Sequence, residues 1–167
     1  NVGSQDQVWA ACGGLNTIEF LQNGGIIVKP IIMSEALLSS FESKFMLFFT
    51  GLSRQASVIA HEQIQNTHKN KNELRMMREL VDDAYKILVS GKDDFIEFGK
   101  LLNETWQLKR KLSSKITTKD IDDIYDAAVK NGAVGGKLCG AGGGGFVFFY
   151  VESENQERVK KALSDFL

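Results

Sequence analysis

The chain has 167 residues, 43% of them hydrophobic and 25% charged, with a formal net charge of -1. These values predict a globular protein of one domain, or of one domain and a fragment. A net charge near zero gives no bulk electrostatic reason to expect nucleic acid or a membrane surface as a partner, and no apolar run approaches the length of a membrane span. The chain starts without Met and without a signal-peptide pattern, so we expect a piece of something longer.

The cysteines and histidines predict neither disulfides nor a metal site. Cys12 and Cys139 are too few for a disulfide scaffold, and we expect both to be reduced thiols of a cytoplasmic protein. His61 and His68 lie seven positions apart without a neighbouring cysteine or acidic cluster. We therefore expect both histidines at helix surfaces.

The first elements are a helix and a hairpin. Residues 4–12 predict a short helix that Ser4 caps and two glycines end. Residues 15–20 and 26–32 are apolar, β-branched segments separated by an Asn-Gly pair, which is a hairpin signal. Ser34 then caps a short amphipathic helix that extends to about residue 42.

The middle of the chain predicts one strand followed by two helices. The continuous apolar run at residues 45–49 predicts a central strand, and a helix is expected from Ser53 to about residue 65. The wholly polar stretch at residues 66–72 is the expected break. A helix follows from Leu74 to about Leu88, with apolar residues at helical spacing.

The last third contains two more helices, two strands and a final helix. Asp93 is expected to cap a helix with Phe95, Phe98, Leu102 and Trp106 along one face, so Trp106 is expected in the core. The next helix spans about residues 121–131, and strands follow near residues 135–138 and 146–151. In the final helix four side chains are expected inward: Val159, Ala162, Leu163 and Phe166.

Strands that cluster early and late, with helices between them, predict an α+β fold. The expected architecture is an antiparallel or mixed sheet with helices packed on one face.

The most distinctive segment, residues 137–146, reads KLCGAGGGGF, and five of the six residues from Gly140 to Gly145 are glycine. Glycine is used where the backbone takes up conformations closed to other residues or approaches something closely. Successive N–H groups in such a loop form a concave anion site, so a phosphate is the expected ligand. The loop matches neither the P-loop nor the Rossmann fingerprint. The alternative is a bulge or mere backbone crowding at the start of a strand.

A basic cluster follows the Trp106 helix. It consists of Lys109, Arg110, Lys111 and Lys115. Lys109 or Arg110 could pair with a phosphate group, since a guanidinium is suited to bidentate phosphate contact. The alternative is a solvated face whose cations are favourable at a helix C-terminus.

Residues 137–146 resemble the third signature motif of the galactokinase, homoserine kinase, mevalonate kinase and phosphomevalonate kinase (GHMP) superfamily. Residues 3–7 (GSQDQ) and 10–14 (AACGG) resemble the segment that holds the catalytic aspartate of this family. Residues 47–54 (LFFTGLSR) and 101–110 (LLNETWQLKR) are similar to bacterial sugar kinases that phosphorylate D-glycero-D-manno-heptose 7-phosphate at C1.

The resemblance implies an ATP-dependent sugar kinase that uses Mg²⁺ and binds a small sugar phosphate. It assigns residues 1–30 to the tail of an N-terminal kinase domain and residues 31–167 to the ferredoxin-like C-terminal domain. The loop that wraps the triphosphate is not in the sequence, so we expect the chain alone to be inactive. Removal of a domain would expose an apolar face, and we expect this face to self-associate into homo-oligomers.

The resemblance also implies roles for individual residues. Asp6 becomes the general base, or the group that aligns the sugar hydroxyl, although a first-turn aspartate that only favours the helix dipole is the alternative. The implied phosphate loop consists of Gly140, Ala141, Gly142, Gly143 and Gly144. The residues expected to bind substrate are Gln5, Gln7, Ser53, Arg54 and Lys109. Only one of the two glutamines is expected to reach the sugar, and an ordinary helix cap is the alternative role for Ser53.

Three other functions stay open at this stage. The protein could be a GHMP kinase for another sugar, such as fucose or galactose. It could be a binding or regulatory paralogue that no longer performs chemistry. It could also be a plain ferredoxin-like domain whose glycine loop only packs.

Overall fold

The computed structural model describes residues 4–52, 56–164 and 166 of the chain. The helices are α1 (Gln5–Cys12), α2 (Glu35–Ser43), α3 (Ala56–Gln65), α4 (Lys71–Leu88), α5 (Ile96–Lys111), α6 (Lys119–Lys130) and α7 (Gln156–Leu163). The strands are β1 (Asn16–Phe20), β2 (Ile26–Pro30), β3 (Phe45–Phe49), β4 (Ala133–Leu138) and β5 (Phe146–Val151). The predicted α+β class is confirmed.

The strands form two antiparallel sheets. β1 and β2 make the predicted hairpin, in which Asn16 pairs with Pro30 and Phe20 pairs with Ile26. The side chain of Asn23 accepts a hydrogen bond from the Gly25 N–H at 3.0 Å, as an Asx turn requires. The second sheet has the order β3-β5-β4, so β5 lies in the middle.

The prediction that residues 45–49 form a central strand is wrong, because β3 lies at the edge of its sheet. An edge strand pairs on one side only. In β3 the face that carries Leu47 and Phe49 is also open to solvent. Leu47 and Phe49 are 59% and 54% exposed. The apolar run therefore reflects a strand whose outward face is itself apolar, and an uninterrupted apolar run does not separate that case from a central strand.

The core lies mainly on one face of β5. Val147, Phe149 and Val151 alternate along this strand and point to the same side. They pack with buried side chains of α5, α6 and α7, among which Trp106 is fully buried, as predicted. Burial of such large side chains supplies about 1.5–3 kcal/mol each.

The other face of β5 carries a smaller, aromatic cluster. Tyr150 is fully buried there, with Phe41 of α2 and Phe95 beside α5. The rings of Phe41 and Phe95 meet edge to face with centroids 4.9 Å apart, an arrangement that aromatic pairs prefer. Helices therefore pack on the face of β5 that carries Val147, Phe149 and Val151, and on one end of the opposite face.

The helix caps match the predictions in part. Ser34 accepts a hydrogen bond from the Leu37 N–H at 3.3 Å, as predicted. Asp93 does not cap α5. Asp94 accepts from the Ile96 N–H at 3.2 Å, whereas Asp93 accepts from the Ser40 hydroxyl at 2.6 Å, because α5 begins later than the sequence suggested.

The end of the chain also departs from the prediction. Val159 and Leu163 are fully buried, as expected, but Phe166 is 42% exposed. The last helix ends at Leu163, so the helical spacing that pointed Phe166 inward no longer applies to it. Within the described ranges, none of the helices combines the length and the apolar character that crossing a bilayer requires.

Candidate active site

The glycine loop joins β4 to β5 and adopts a backbone conformation that only glycine takes up readily. The glycines with positive φ in this loop are Gly140 (+71°), Gly142 (+119°), Gly143 (+76°), Gly144 (+156°) and Gly145 (+98°). Left-handed φ places a Cβ close to the following carbonyl and costs other residues about 1–2 kcal/mol each. The glycine run is therefore required by the path of the chain, whatever the loop binds.

The second part of the loop is held by backbone contacts. The N–H groups of Gly143 and Gly145 donate to the carbonyls of Ile116 and Leu52, at 2.8 and 2.9 Å. A Cβ built on Gly142 would lie 2.8 Å from Ile116, and one built on Gly144 would collide with the Leu52 carbonyl. Backbone crowding, the alternative that the sequence left open, therefore describes Gly142 and Gly144 correctly.

The first part of the loop is held by side chains. Lys109 of α5 donates to the Gly140 carbonyl at 2.6 Å, and Gln63 of α3 donates to the Ala141 carbonyl at 2.9 Å. At Gly140 no atom lies within 4 Å of the position that a Cβ would take. This end of the loop is thus open to a ligand.

Lys109 has an unusual electrostatic environment. Burial and, next in size, the positive charge of Lys137 lower the pKa of Lys109 to about 8. Cys139 and the carboxylate of Asp6 act in the opposite direction and favour the ammonium form. Asp6 therefore lies close enough for its charge to act on Lys109. Of the three predicted site features, Lys109 contacts the glycine loop, and Asp6 lies within electrostatic range of Lys109.

The same charges act on Cys139, which precedes the loop. Burial raises the pKa of the Cys139 thiol, and the nearby Lys137 and Lys109 offset part of this rise. The thiol is accordingly protonated at neutral pH and is not an activated nucleophile.

Asp6 also lines a cleft between α1 and the hairpin. The cleft measures about 270 Å³ and is lined by Gln5, Asp6, Trp9, Asn16, Ile18 and Phe20. The indole N–H of Trp9 donates to the Gly14 carbonyl at 2.9 Å, which fixes the ring, and the ring remains 56% exposed. Gln5 lines the cleft, whereas Gln7 is not among its lining residues.

Four further residues were singled out in the sequence: Ser53, Arg54, Arg110 and Lys115. Ser53 and Arg54 lie outside the described residues. Arg110 pairs with Asp122 at 3.0 Å, and Lys115 pairs with Glu62 at 3.0 Å. Of these three members of the basic cluster, Lys109 contacts the glycine loop, whereas Arg110 and Lys115 are each paired with a carboxylate.

Sequence reasoning missed two residues of this region. Gln63 carried no signal beyond its place on a helix, because a polar residue on a helix is ordinary. Trp9 carried no signal because it fits a short amphipathic helix equally well. Among the residues that the structure describes, no group of three or more His, Cys, Asp or Glu side chains is arranged to hold a metal ion.

Comparisons with known proteins agree with this picture. The family model "GHMP kinases C terminal" matches residues 76–167. The D-glycero-alpha-D-manno-heptose 7-phosphate kinase of Campylobacter jejuni is 33% identical over 162 residues, which cover 96% of this chain and 48% of the relative. The L-fucokinase/L-fucose-1-P guanylyltransferase of Bacteroides fragilis is 26% identical, with 98% of this chain and 18% of the relative covered.

A solved structure extends the similarity to the fold. The D-glycero-D-manno-heptose 1-phosphate kinase of Bacteroides thetaiotaomicron superposes with a TM-score of 0.67 at 31% identity, over 99% of this chain and 43% of that one. This chain therefore spans about half or less of the length of these relatives. The match of the family model over more than half of the chain confirms the resemblance found in the sequence: the chain belongs to the GHMP kinase family, of which it carries the C-terminal domain.

Proposed function

We propose that the protein containing this chain is an ATP-dependent sugar kinase that phosphorylates D-glycero-D-manno-heptose 7-phosphate at C1. The similarity to the Campylobacter jejuni kinase supports the substrate class. One structural observation carries the proposal: the charge of Asp6 acts on Lys109, whose ammonium group holds the Gly140 carbonyl. In this proposal the proton acceptor and the phosphate loop belong to one site.

Asp6 acts on the acceptor hydroxyl in this proposal. It lies on the exposed surface of α1, where a sugar in the neighbouring cleft is within its reach. Phosphoryl transfer needs a group that orients the attacking hydroxyl and accepts its proton as the bond to phosphorus forms. A carboxylate held near the sugar supplies this role.

The open end of the glycine loop and Lys109 act on the transferred phosphate. The N–H groups of Gly143 and Gly145 are engaged by the fold, so the phosphate-binding role falls to the earlier part of the loop, with Gly140, Ala141 and Gly142. The Lys109 ammonium adds positive charge where negative charge builds up along the reaction path.

Bound Mg²⁺-ATP supplies the phosphoryl group, and the described residues fit the phosphate end of that ligand. An open run of loop backbone beside a lysine matches the chemistry of a polyphosphate. Mg²⁺ commonly keeps several waters and binds through substrate phosphates with one or two carboxylates. Asp6 is the carboxylate in this region that could contribute.

Amides and an aromatic ring are suited to the sugar. Gln5 both donates and accepts hydrogen bonds, as sugar hydroxyls do, and Trp9 offers an exposed ring on the same cleft. Gln7, Ser53 and Arg54 remain proposed substrate contacts on the basis of the family resemblance.

We also propose that residues 1–30 are the tail of an N-terminal kinase domain, residues 31–167 are the C-terminal domain, and the protein is cytoplasmic. Catalysis would then need the other half of the family fold. The apolar side chains of Leu47, Phe49 and Phe146 are all exposed on one face of the second sheet. We expect the isolated chain to self-associate through this face. Sedimentation that finds monomers at every concentration would contradict this expectation.

The central test replaces Asp6 with asparagine in the full-length protein. Asp6→Asn keeps the shape and removes the proton acceptor, so we expect kcat for the heptose phosphate to fall by about 10² to 10⁴. Asp83→Asn, the same change at an exposed position of α4, serves as the control and should leave kcat unchanged. Undiminished turnover of Asp6→Asn would remove Asp6 from the mechanism.

A kinase for L-fucose is the second candidate, because the fucokinase relative matches 98% of the chain. Assays of the wild-type protein with heptose 7-phosphate, fucose and galactose at equal concentration separate the substrates. Binding of a sugar phosphate without any turnover would favour a regulatory paralogue instead.

A further inference from the structure

We propose that Gln63 of α3 is a positioning residue that, together with Lys109, orients two peptide groups of the glycine loop so that their N–H groups face a bound phosphate. The inference rests on the proposed kinase function, and it assigns to a residue outside the sequence motifs the task of setting the loop's geometry.

The argument begins with the geometry of the peptide bond. In a trans peptide the carbonyl of one residue and the N–H of the next point in opposite directions. The Gly140 carbonyl points at Lys109, so the Ala141 N–H points away from α5. The Ala141 carbonyl points at Gln63, so the Gly142 N–H points away from α3. Two neighbouring N–H groups are thus turned away from the two helices that supply the side-chain donors.

The loop needs such donors because its backbone has few restraints of its own. Each of the two peptide groups joins Ala141 to a glycine. Glycine takes up positive and negative φ with similar ease, so the Ala141-Gly142 peptide group in particular can reverse and exchange its N–H for its carbonyl. A carbonyl directed at a phosphate would repel it. Ala141 packs its methyl group against the main core, and Gln63 holds the carbonyl of the same residue. Together these contacts restrict the two peptide groups that the adjacent backbone bonds do not reach.

The chemistry of Gln63 fits this task. The contact uses its amide N–H as the donor, at 2.9 Å, and the side chain is partly buried. A glutamate of the same size would present only acceptors to the Ala141 carbonyl at neutral pH, whereas a lysine has the length and the donors to replace the contact. The ability to donate a hydrogen bond, and not the shape of the side chain, is therefore the property of Gln63 that this contact requires.

This distinction defines the kinetic experiment in the full-length protein. We expect Gln63→Glu to lower kcat about tenfold or more while the KM for the sugar phosphate changes less than twofold, since misplaced catalytic groups typically cost rate. Gln63→Lys should restore at least a third of the wild-type kcat. Gln65→Glu is the matched control, because Gln65 lies on the same helix and contacts His61. The kcat and KM of Gln65→Glu should equal those of the wild type.

A second measurement reports on the loop without any chemistry. The backbone amide resonances of Ala141 and Gly142 are followed by NMR during titration with inorganic phosphate and, separately, with a non-hydrolysable ATP analogue. We expect both amides to shift in the wild type and in Gln63→Lys, and to shift much less in Gln63→Glu.

The two measurements separate the failure of this inference from the failure of the proposed function. If the wild type phosphorylates no sugar but the amide shifts depend on Gln63, the positioning role stands and the kinase assignment fails. Equal kcat in wild type and Gln63→Glu, or amides that do not respond to either ligand in the wild type, would overturn the positioning role.

Discussion

Two neighbouring stretches of one loop use the same residue type for different purposes. Residues 142–145 lie against the backbone of Ile116 and Leu52 and are fixed by main-chain hydrogen bonds. Residues 140–141 are open on one side and are fixed by the side chains of Lys109 and Gln63. Glycine is needed at Gly142 and Gly144 because there is no room for a Cβ, and at Gly140 because the backbone adopts a left-handed turn with open space beside it.

The difference teaches that a glycine-rich sequence does not by itself separate ligand binding from packing. The atoms that a Cβ would meet at Gly140, Gly142 and Gly144 distinguish an open position from a packed one. Substitutions in the two stretches should therefore have opposite signatures, with a loss of stability in one and a loss of activity in the other.

The largest expected effect is on stability. Gly144→Ala places a methyl group against the Leu52 carbonyl, so we expect the free energy of unfolding to fall by about 3–5 kcal/mol. Gly140→Ala meets no atom within 4 Å and should cost only the about 1–2 kcal/mol of a left-handed alanine. Denaturant unfolding of the full-length protein measures both values. Equal losses would remove the distinction between the two stretches.

The next effect concerns activity without a loss of stability. Lys109→Met keeps the aliphatic stem and removes the ammonium group, so we expect kcat to fall about 100-fold. The pKa of Lys109 is lowered in the folded protein, which means that the charged form is disfavoured there. Below pH 8 folding carries this cost, and between about pH 8 and 10.5 stability should rise, because the unfolded chain then binds more protons.

Removal of the charge removes that cost, so Lys109→Met should be at least as stable as the wild type at pH 7. Thermal unfolding at pH 7 and pH 10 checks both statements, and the advantage of the variant should shrink at the higher pH. A variant that unfolds well below the wild type at pH 7 would show that Lys109 mainly serves the fold.

The smallest effect is a change in the shape of the pH profile. With the pKa of Lys109 at about 8, the wild-type kcat should decline above this pH as the ammonium is lost. Arginine stays charged throughout this range, so Lys109→Arg should be slower overall but should lack the decline. Initial rates from pH 6.5 to 9.5 give the two profiles. A decline of the same steepness in Lys109→Arg would assign it to another group.

Local features were predictable from the sequence because they depend on local forces. The Asn-Gly pair predicted the β1-β2 hairpin, Ser34 predicted a helix start, and the helical spacing around Trp106 predicted its burial. Each depends on turn chemistry or on the periodicity of one element. Asp93 was expected to cap α5, but Asp94 accepts the hydrogen bond from the Ile96 N–H, since two adjacent aspartates satisfy the same pattern.

The site was predictable only where a motif named the residue. Asp6, Lys109 and the glycine loop followed from family resemblance. In the structure Lys109 contacts the loop, and the charge of Asp6 acts on Lys109. Gln63 did not follow, because its partner is the carbonyl of Ala141, 78 positions away in the chain. A side-chain bond to a distant backbone group leaves no periodic signal in the sequence.

By itself, the sequence determined the helices, the hairpin, the glycine run and the family, because these arise from short-range hydrogen bonding, side-chain periodicity and contiguous motifs. Only the tertiary structure decided that β3 lies at the edge of its sheet, that the N–H groups of Gly143 and Gly145 donate to distant backbone carbonyls, and that Gln63 reaches the loop. Strand order and long-range hydrogen bonds depend on which distant segments meet when the core closes, and no local pattern encodes that choice.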